Sequence, residues 1–169
     1  MENKKTCLYD KHVAMGALMQ PFGGFEMPIQ YSTIIEEHNA VRNHCGVFDV
    51  SHMGEVVVKG PDAEKYVNHI FTNDIANAPK GQIYYGMMLY ENGGTVDDLL
   101  VYKMGENDFF LVINAANIEK DFEWMTKNAS GFDIELKNVS DNLPCRDRNQ
   151  KTWLRQYLAY RARNLSSIP

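Results

Sequence analysis

Glu91-Asn92-Gly93-Gly94-Thr95-Val96-Asp97-Asp98-Leu99-Leu100-Val101-Tyr102-Lys103-Met104 is the stretch that decides the fold of this 169-residue chain. Asn92-Gly93-Gly94 is a strong turn signal, because glycine takes positive φ at little steric cost. The run from Ile83 to Tyr90 precedes it and Leu99 to Tyr102 follows. Both read as strands, which makes the stretch a hairpin. Aspartate is depleted in strands, so Asp97-Asp98 stands out. Side chains alternate along a strand, so Asp97 shares a face with Leu99 and Val101, and Asp98 with Leu100 and Tyr102. Both faces are largely apolar, as in a sheet covered on two sides. At least one carboxylate then lies beside buried surface, where it is costly without a partner or a task. The same pair, so close to a Gly-Gly turn, also suits the solvated end of a hairpin.

Working outward, Glu55 to Lys59 reads as a strand. Gly60-Pro61 opens a helix, proline being suited to a first turn. Ala63, Tyr66, Val67, Ile70 and Phe71 form its apolar stripe. After the hairpin strands, 83–90 and 96–104, comes a strand from Phe109 to Asn114. Asn117 is placed to cap a second helix with a stripe of Ile118, Phe122, Met125 and Ala129. Gly131 ends that helix, and Phe132 to Val139 is a last strand. The fold class is therefore α+β: a mostly antiparallel sheet with two helices, in the ferredoxin-like order β-α-β-β-β-α-β.

Residues 6 to 31 read as irregular, because Pro21, Gly23, Gly24 and Pro28 interrupt any long element. One short helix is expected from His12 to Met19. Residues 33 to 45 read as a helix, with Thr33 and Glu36 at capping-box spacing and Ile34, His38, Val41 and Cys45 on one face. His38 there reads as a structural histidine. From Leu143 onward the character changes: six basic residues stand against the single acid Asp147, in a chain whose net charge is −5. So abrupt a change of charge and motif reads as a change of reading frame.

Composition is 44% hydrophobic and 23% charged, which is ordinary for a globular domain. The acidic balance gives no sign of nucleic-acid or membrane partners. Three cysteines with no close pairing fit a reducing compartment, and the first residues lack an apolar signal core. A bacterial cytoplasmic location is the simplest expectation. The five histidines show no His-x-x-x-His or His-x-His spacing, and no Cys-x-x-Cys exists, so no metal is expected.

Several separated motifs carry a resemblance, in order, from about Thr6 to about Asn142. They are Leu8-Tyr9-Asp10-Lys11-His12, Met27-Pro28-Ile29-Gln30-Tyr31, Glu37-His38-Asn39-Ala40-Val41-Arg42, Phe48-Asp49-Val50-Ser51-His52-Met53-Gly54, Gly93 to Tyr102, and Val112 to Asp121. Together they resemble the T-protein family of the glycine cleavage system, which are aminomethyltransferases. That resemblance implies transfer of the methylene of an aminomethyl group, carried on the lipoyl group of H-protein, to tetrahydrofolate with release of ammonia. It implies Asp98 as the catalytic carboxylate, with Asp97 facing away into the turn. It implies Met53, Tyr85, Tyr102 and Asn114 as folate-binding residues. Read without it, Met53, Tyr85 and Tyr102 are ordinary sheet core.

The implied organisation is an N-terminal arm, 1–50, belonging to a first domain split around the second. An α+β folate-binding domain, 51–142, carries the hairpin, and 143–169 is a divergent basic tail. A full T-protein is about twice as long, so this chain is expected to be an incomplete fragment with little or no activity. An arm deprived of its packing partner leaves apolar surface for self-association. Two other readings remain: a related folate-binding protein of the same superfamily, and a non-catalytic module that binds a protein partner.

Overall fold

Alternation of the type seen in Val56-Val57-Val58 builds a sheet, and a stripe of the type Ala63, Tyr66, Val67, Ile70 builds a helix to cover it. The computed structural model describes residues 2–141. In chain order it contains β1 (Lys4–Lys5), α1 (Tyr9–Ala14), β2 (Leu18–Phe22), β3 (Phe25–Gln30), α2 (Ile34–Asn43), β4 (Gly54–Lys59), α3 (Ala63–Ile70), β5 (Ile83–Leu89), β6 (Thr95–Gly105), β7 (Asp108–Ile113), a 3-10 turn (Ala115–Asn117), α4 (Ile118–Lys127) and β8 (Glu135–Asn138). The class is α+β. The larger sheet has the order β5-β6-β7-β4-β8, and each of its neighbouring pairs is antiparallel.

One face of this sheet is the core. Val56 and Val58 of β4, Leu99 and Val101 of β6, and Phe109, Leu111 and Ile113 of β7 are buried there. α3 lays Ala63, Tyr66, Val67 and Ile70 on them, and α4 adds Met125. The Tyr66 hydroxyl donates to the Met125 carbonyl at 2.7 Å, which joins the two helices where a phenol would otherwise be unpaired. Each such side chain contributes about 1.5–3 kcal/mol through burial. Both helices lie on this face, so the hairpin is not covered by helices on two sides. On the opposite face Val57, Leu100, Phe110 and Val112 are only half-buried.

The N-terminal arm departs from expectation. Residues 6 to 31 are not irregular: β2 and β3 pair antiparallel around Gly23-Gly24, and β1 adds in parallel to β3. Gly23 and Gly24 have φ of +58° and +83°, so the turn uses the freedom of both. The prolines fit because they fall where no ladder hydrogen bond is lost. Pro21 is on the edge strand β2, and β1 pairs only with Phe25 and Glu26, so it never reaches Pro28. The helix expected over 12–19 lies earlier, at Tyr9–Ala14. α2 forms as expected, with the Thr33 side chain accepting from the Glu36 backbone N–H at 3.2 Å, yet it buries none of its side chains. Cys45 is an exposed free thiol. The expected basic tail, 143–169, lies outside the described residues.

A polar network ties the arm to the segment leading into β4. His12 Nε2 lies 2.9 Å from Asp49 Oδ2, and His12 Nδ1 lies 2.6 Å from the Tyr31 hydroxyl. The Thr6 hydroxyl donates to the same Asp49 oxygen at 3.1 Å, and Ser51 donates to the other oxygen through both backbone and hydroxyl. Burial pushes the Asp49 carboxyl up, but the bonds from Ser51, His12 and Thr6 outweigh it and hold the group below its ordinary range.

Gly60 closes the β4–α3 turn at φ +131°, with its Cα against the 133–134 backbone. A Cβ there would stand 2.6 Å from the Asp133 carbonyl oxygen and 2.9 Å from the Ile134 Cα. Backbone atoms cannot retreat as a side-chain tip does. Gly60→Ala is therefore expected to destabilise the domain by at least ~2 kcal/mol, read as a lowered urea midpoint at unchanged slope.

Candidate functional site

The uncovered face of the sheet is a grid set by register. Its first row runs Met87, Asp98, Asn114, with Met53 one step beyond the Gly54–Ile113 pair. The second row runs Tyr85, Leu100, Val112, Glu55, and the third runs Ile83, Tyr102, Phe110, Val57. Asp98, Tyr85 and Tyr102 thus share one face, with Asn114 at the end of its first row.

Three of them touch. Asp98 Oδ2 accepts from the Tyr85 hydroxyl at 2.6 Å, and Asp98 Oδ1 accepts from the Asn114 amide at 3.0 Å. Each carboxylate oxygen thus has its own donor, which fixes the plane of the group. Tyr85 is 65% exposed. Its hydroxyl pKa is raised by the hydrogen bond to Asp98, then by the charges of both aspartates, so it remains a donor. Met53 is half-buried in the turn before β4. Tyr102 does not join the group: it lies four residues along β6 from Asp98, about 13 Å at the strand rise, and packs edge-on to Phe110 with centroids 6.2 Å apart.

Asp97 does not face away into the turn. It is buried, at 8% exposure, and it organises the strand ends. Its Oδ1 accepts from the Asn114 amide and from the Asp98 backbone N–H, both at 3.0 Å, and its Oδ2 accepts from the Asn117 amide at 3.0 Å. A single amide, Asn114, thus reaches both aspartates. Asn117 sits at the N-cap position of α4 but makes no side-chain cap there, because its amide serves Asp97 instead.

Behind Asp97 stands Asp121, with no exposed surface at all. Burial, then the hydrogen bond to Asp97 and that neighbour's charge, push the Asp121 carboxyl up to about 7, against the pull of Lys120. Burial also pushes Asp97 up, but the bonds from Asp121, Asn117, Asn114 and the Asp98 N–H prevail and hold it below its ordinary range. Two adjacent carboxylates ionise together at a cost, and the donors gathered around Asp97 make Asp121 the one that holds its proton more tightly. Lys120 Nζ stands 3.3 Å from Asp121 Oδ1 and donates to the Val96 carbonyl.

Lys120 and Asp121 were not singled out as site residues from the sequence, and Asn117 was read only as a helix cap. Asp121 had a readable signal. It lies three residues after Ile118 and four before Met125, on the apolar stripe of α4, where a carboxyl requires a partner. Glu55, in the second row, is a further carboxyl pushed up to about 7 by burial. Chemically, the site offers a fixed carboxylate at the edge of a half-apolar surface. Such a surface accepts a flat ring, and such a carboxylate orients an amine or stabilises a developing cation.

The chain matches a family model described as the GCVT N-terminal domain over residues 8–145. It is 57% identical over 137 residues to an aminomethyltransferase of Moorella thermoacetica, covering 81% of this chain and 37% of that protein. It is 55% identical over 147 residues to an aminomethyltransferase of Alkaliphilus metalliredigens, covering 85% and 39%. Among solved structures, it is similar to the glycine cleavage system aminomethyltransferase T from Bartonella henselae, with a TM-score of 0.77 and 36% identity over 81% of this chain and 38% of that one. The chain therefore spans well under half the length of these relatives.

The two raised carboxyls set a pH dependence. A group whose pKa is higher in the folded state keeps a proton there that the unfolded chain has already released, so stability falls as pH rises between the two values. For Asp121 and Glu55 the window runs from about 4 to about 7. Each contributes a slope of about 1.4 kcal/mol per pH unit within it. Asp97 and Asp49 act oppositely and only below about pH 4, where their stabilisation is lost on acidification. Chemical denaturation at a series of pH values is expected to show the decline, and Glu55→Gln is expected to remove about half of it.

Proposed function

Because the chain belongs to the family of the GCVT N-terminal domain, we propose that it is the folate-side portion of a glycine cleavage system T-protein. The parent activity moves the methylene of a lipoyl-bound aminomethyl group on H-protein to tetrahydrofolate and releases ammonia. The observation that supports this reading best is the convergence of the Tyr85 hydroxyl and the Asn114 amide on Asp98, at the edge of an uncovered sheet face.

The roles follow from chemistry. A folate amine that attacks carbon gains positive character as it does so. Asp98 is the anion placed to orient that amine and to stabilise an iminium-like intermediate. Tyr85 and Asn114 hold the carboxylate and remain able to contact the ring. Leu100 and Val112 offer the ring an apolar floor, and Met53 packs at its edge. Tyr102 meets a more distant part of the folate.

In this reading residues 1–50 are an arm of a first domain whose remainder lies in the longer relatives, and 51–142 is the folate-binding unit. The distribution of exposed apolar groups supports that division. Met15, Phe22, Ile34, Ile35, Val47 and Phe48 are all more than half exposed, and all precede residue 50. Bare apolar surface of this kind associates with itself.

Titration calorimetry with tetrahydrofolate is expected to show binding to this chain that weakens by roughly tenfold or more in Asp98→Asn, the loss of a charge-assisted bond. Absence of binding by either protein would refute an assembled folate site. With aminomethylated H-protein and tetrahydrofolate, this chain alone is expected to give little or no methylenetetrahydrofolate. Sedimentation velocity is expected to show concentration-dependent association, reduced by Ile35→Lys with Phe48→Lys.

A further inference from the structure

Asp121 is on the apolar stripe of α4, fully buried, where any aliphatic residue would pack at lower cost. Neither of its oxygens has a well-directed hydrogen-bond donor; Lys120 is ion-paired to one of them at 3.3 Å and directs a hydrogen bond to the Val96 carbonyl. Asp97 is the reverse case. It is surrounded by donors: the Asn114 and Asn117 amides and the Asp98 backbone. A proton shared between the two belongs on the carboxyl without well-directed donors.

We propose that Asp121 is a positioning residue for Asp98, acting through a relay of three hydrogen bonds: its carboxyl O–H donates to Asp97, Asp97 fixes the Asn114 amide, and that amide holds Asp98 Oδ1. Asp98 then has one orientation, with Tyr85 on its other oxygen. The groups that face Asp121 are Asp97 from β6, whose Oδ2 is held by Asn117 four residues before Asp121, and Lys120 from its own helix, which bridges Asp121 to the Val96 carbonyl; Asp98 is one step further along the relay. When Asp121 loses its proton, two adjacent carboxylates repel and Asp97 shifts its demand onto Asn114 and Asn117. The Asn114 amide is then drawn away from Asp98. The inference rests on Asp98 being the reacting carboxylate, but the relay itself exists without any ligand.

The test is carbon- and nitrogen-detected NMR of the full chain with no folate present. In the wild type the Asp121 carboxyl carbon is expected to titrate near neutral pH, and the Asn114 side-chain amide to shift with the same midpoint. Asp121→Asn supplies a permanent N–H to Asp97, so the amide signal is expected to stay at its acidic position at every pH. Asp121→Leu removes the donor, so the signal is expected to hold its alkaline position throughout, with Asp98 displaced. An Asn114 amide that ignores the Asp121 titration in the wild type would overturn the relay, and this needs no variant to fold. So would Asp121→Leu leaving Asp98 and Asn114 unmoved. Failure of the folate titration described above would instead overturn the assignment of Asp98 and leave this result intact.

Discussion

The buried charge of Asp97 is the constraint that shapes this end of the domain. A carboxylate taken out of water costs several kcal/mol unless donors replace the water. The chain supplies them from three places: the backbone of β6 itself, the residue after β7, and the residue before α4. Those segments must converge for the charge to be tolerable. The last residue of β7, Ile113, pairs with Gly54, so the same convergence sets where β4 begins and where Met53 lies. A purely apolar hairpin end would pack as well but would leave these segments free to slide relative to one another.

The sheet divides its work by parity. From Asp97 onward, odd positions of β6 and β7 face the helices and hold the core. Even positions face outward and carry Asp98, Leu100 and Tyr102 beside Phe110 and Val112. A one-residue slip would exchange the two sets, and burial of the core forbids it. The candidate site is therefore held in register by the hydrophobic effect on the far side of the same strands. Asn114 is the point where the two faces communicate, because its amide reaches Asp97 inside and Asp98 outside.

How much of this was readable from residues alone depends on the range of the forces involved. The hairpin, both core-covering helices and the faces of β6 follow from local spacing, and the structure reproduces them within a residue or two at most boundaries. Asp98 was legible as an oddity within a strand. The role of Asp97 was not, since its donors come 17 and 20 residues later and no local pattern links them. Nor was the hairpin of the arm. Pro21 and Pro28 argue against strands only where the missing N–H matters, and strand order decides that. Strand order is a property of the folded sheet.

The arm meets the segment leading into the larger sheet through hydrogen bonds around Asp49, which Ser51 completes, and through the rings of Phe22 and Phe25 set edge-on to His52. His12 and Asp49 are buried at 2.9 Å, yet the surrounding apolar side chains of the arm, such as Phe22 and Phe48, stand open. A polar junction of this kind fixes direction well, because Thr6, Tyr31 and Ser51 each complete a specific bond in it. It adds little net stability, since the partners exchange water for one another at near parity. The arm thus gains its orientation from within this chain, while its open apolar face still lacks the burial that would stabilise it. The larger sheet, with its core closed by α3 and α4, needs no such completion to hold Asp97, Asn114 and Asp98 in place.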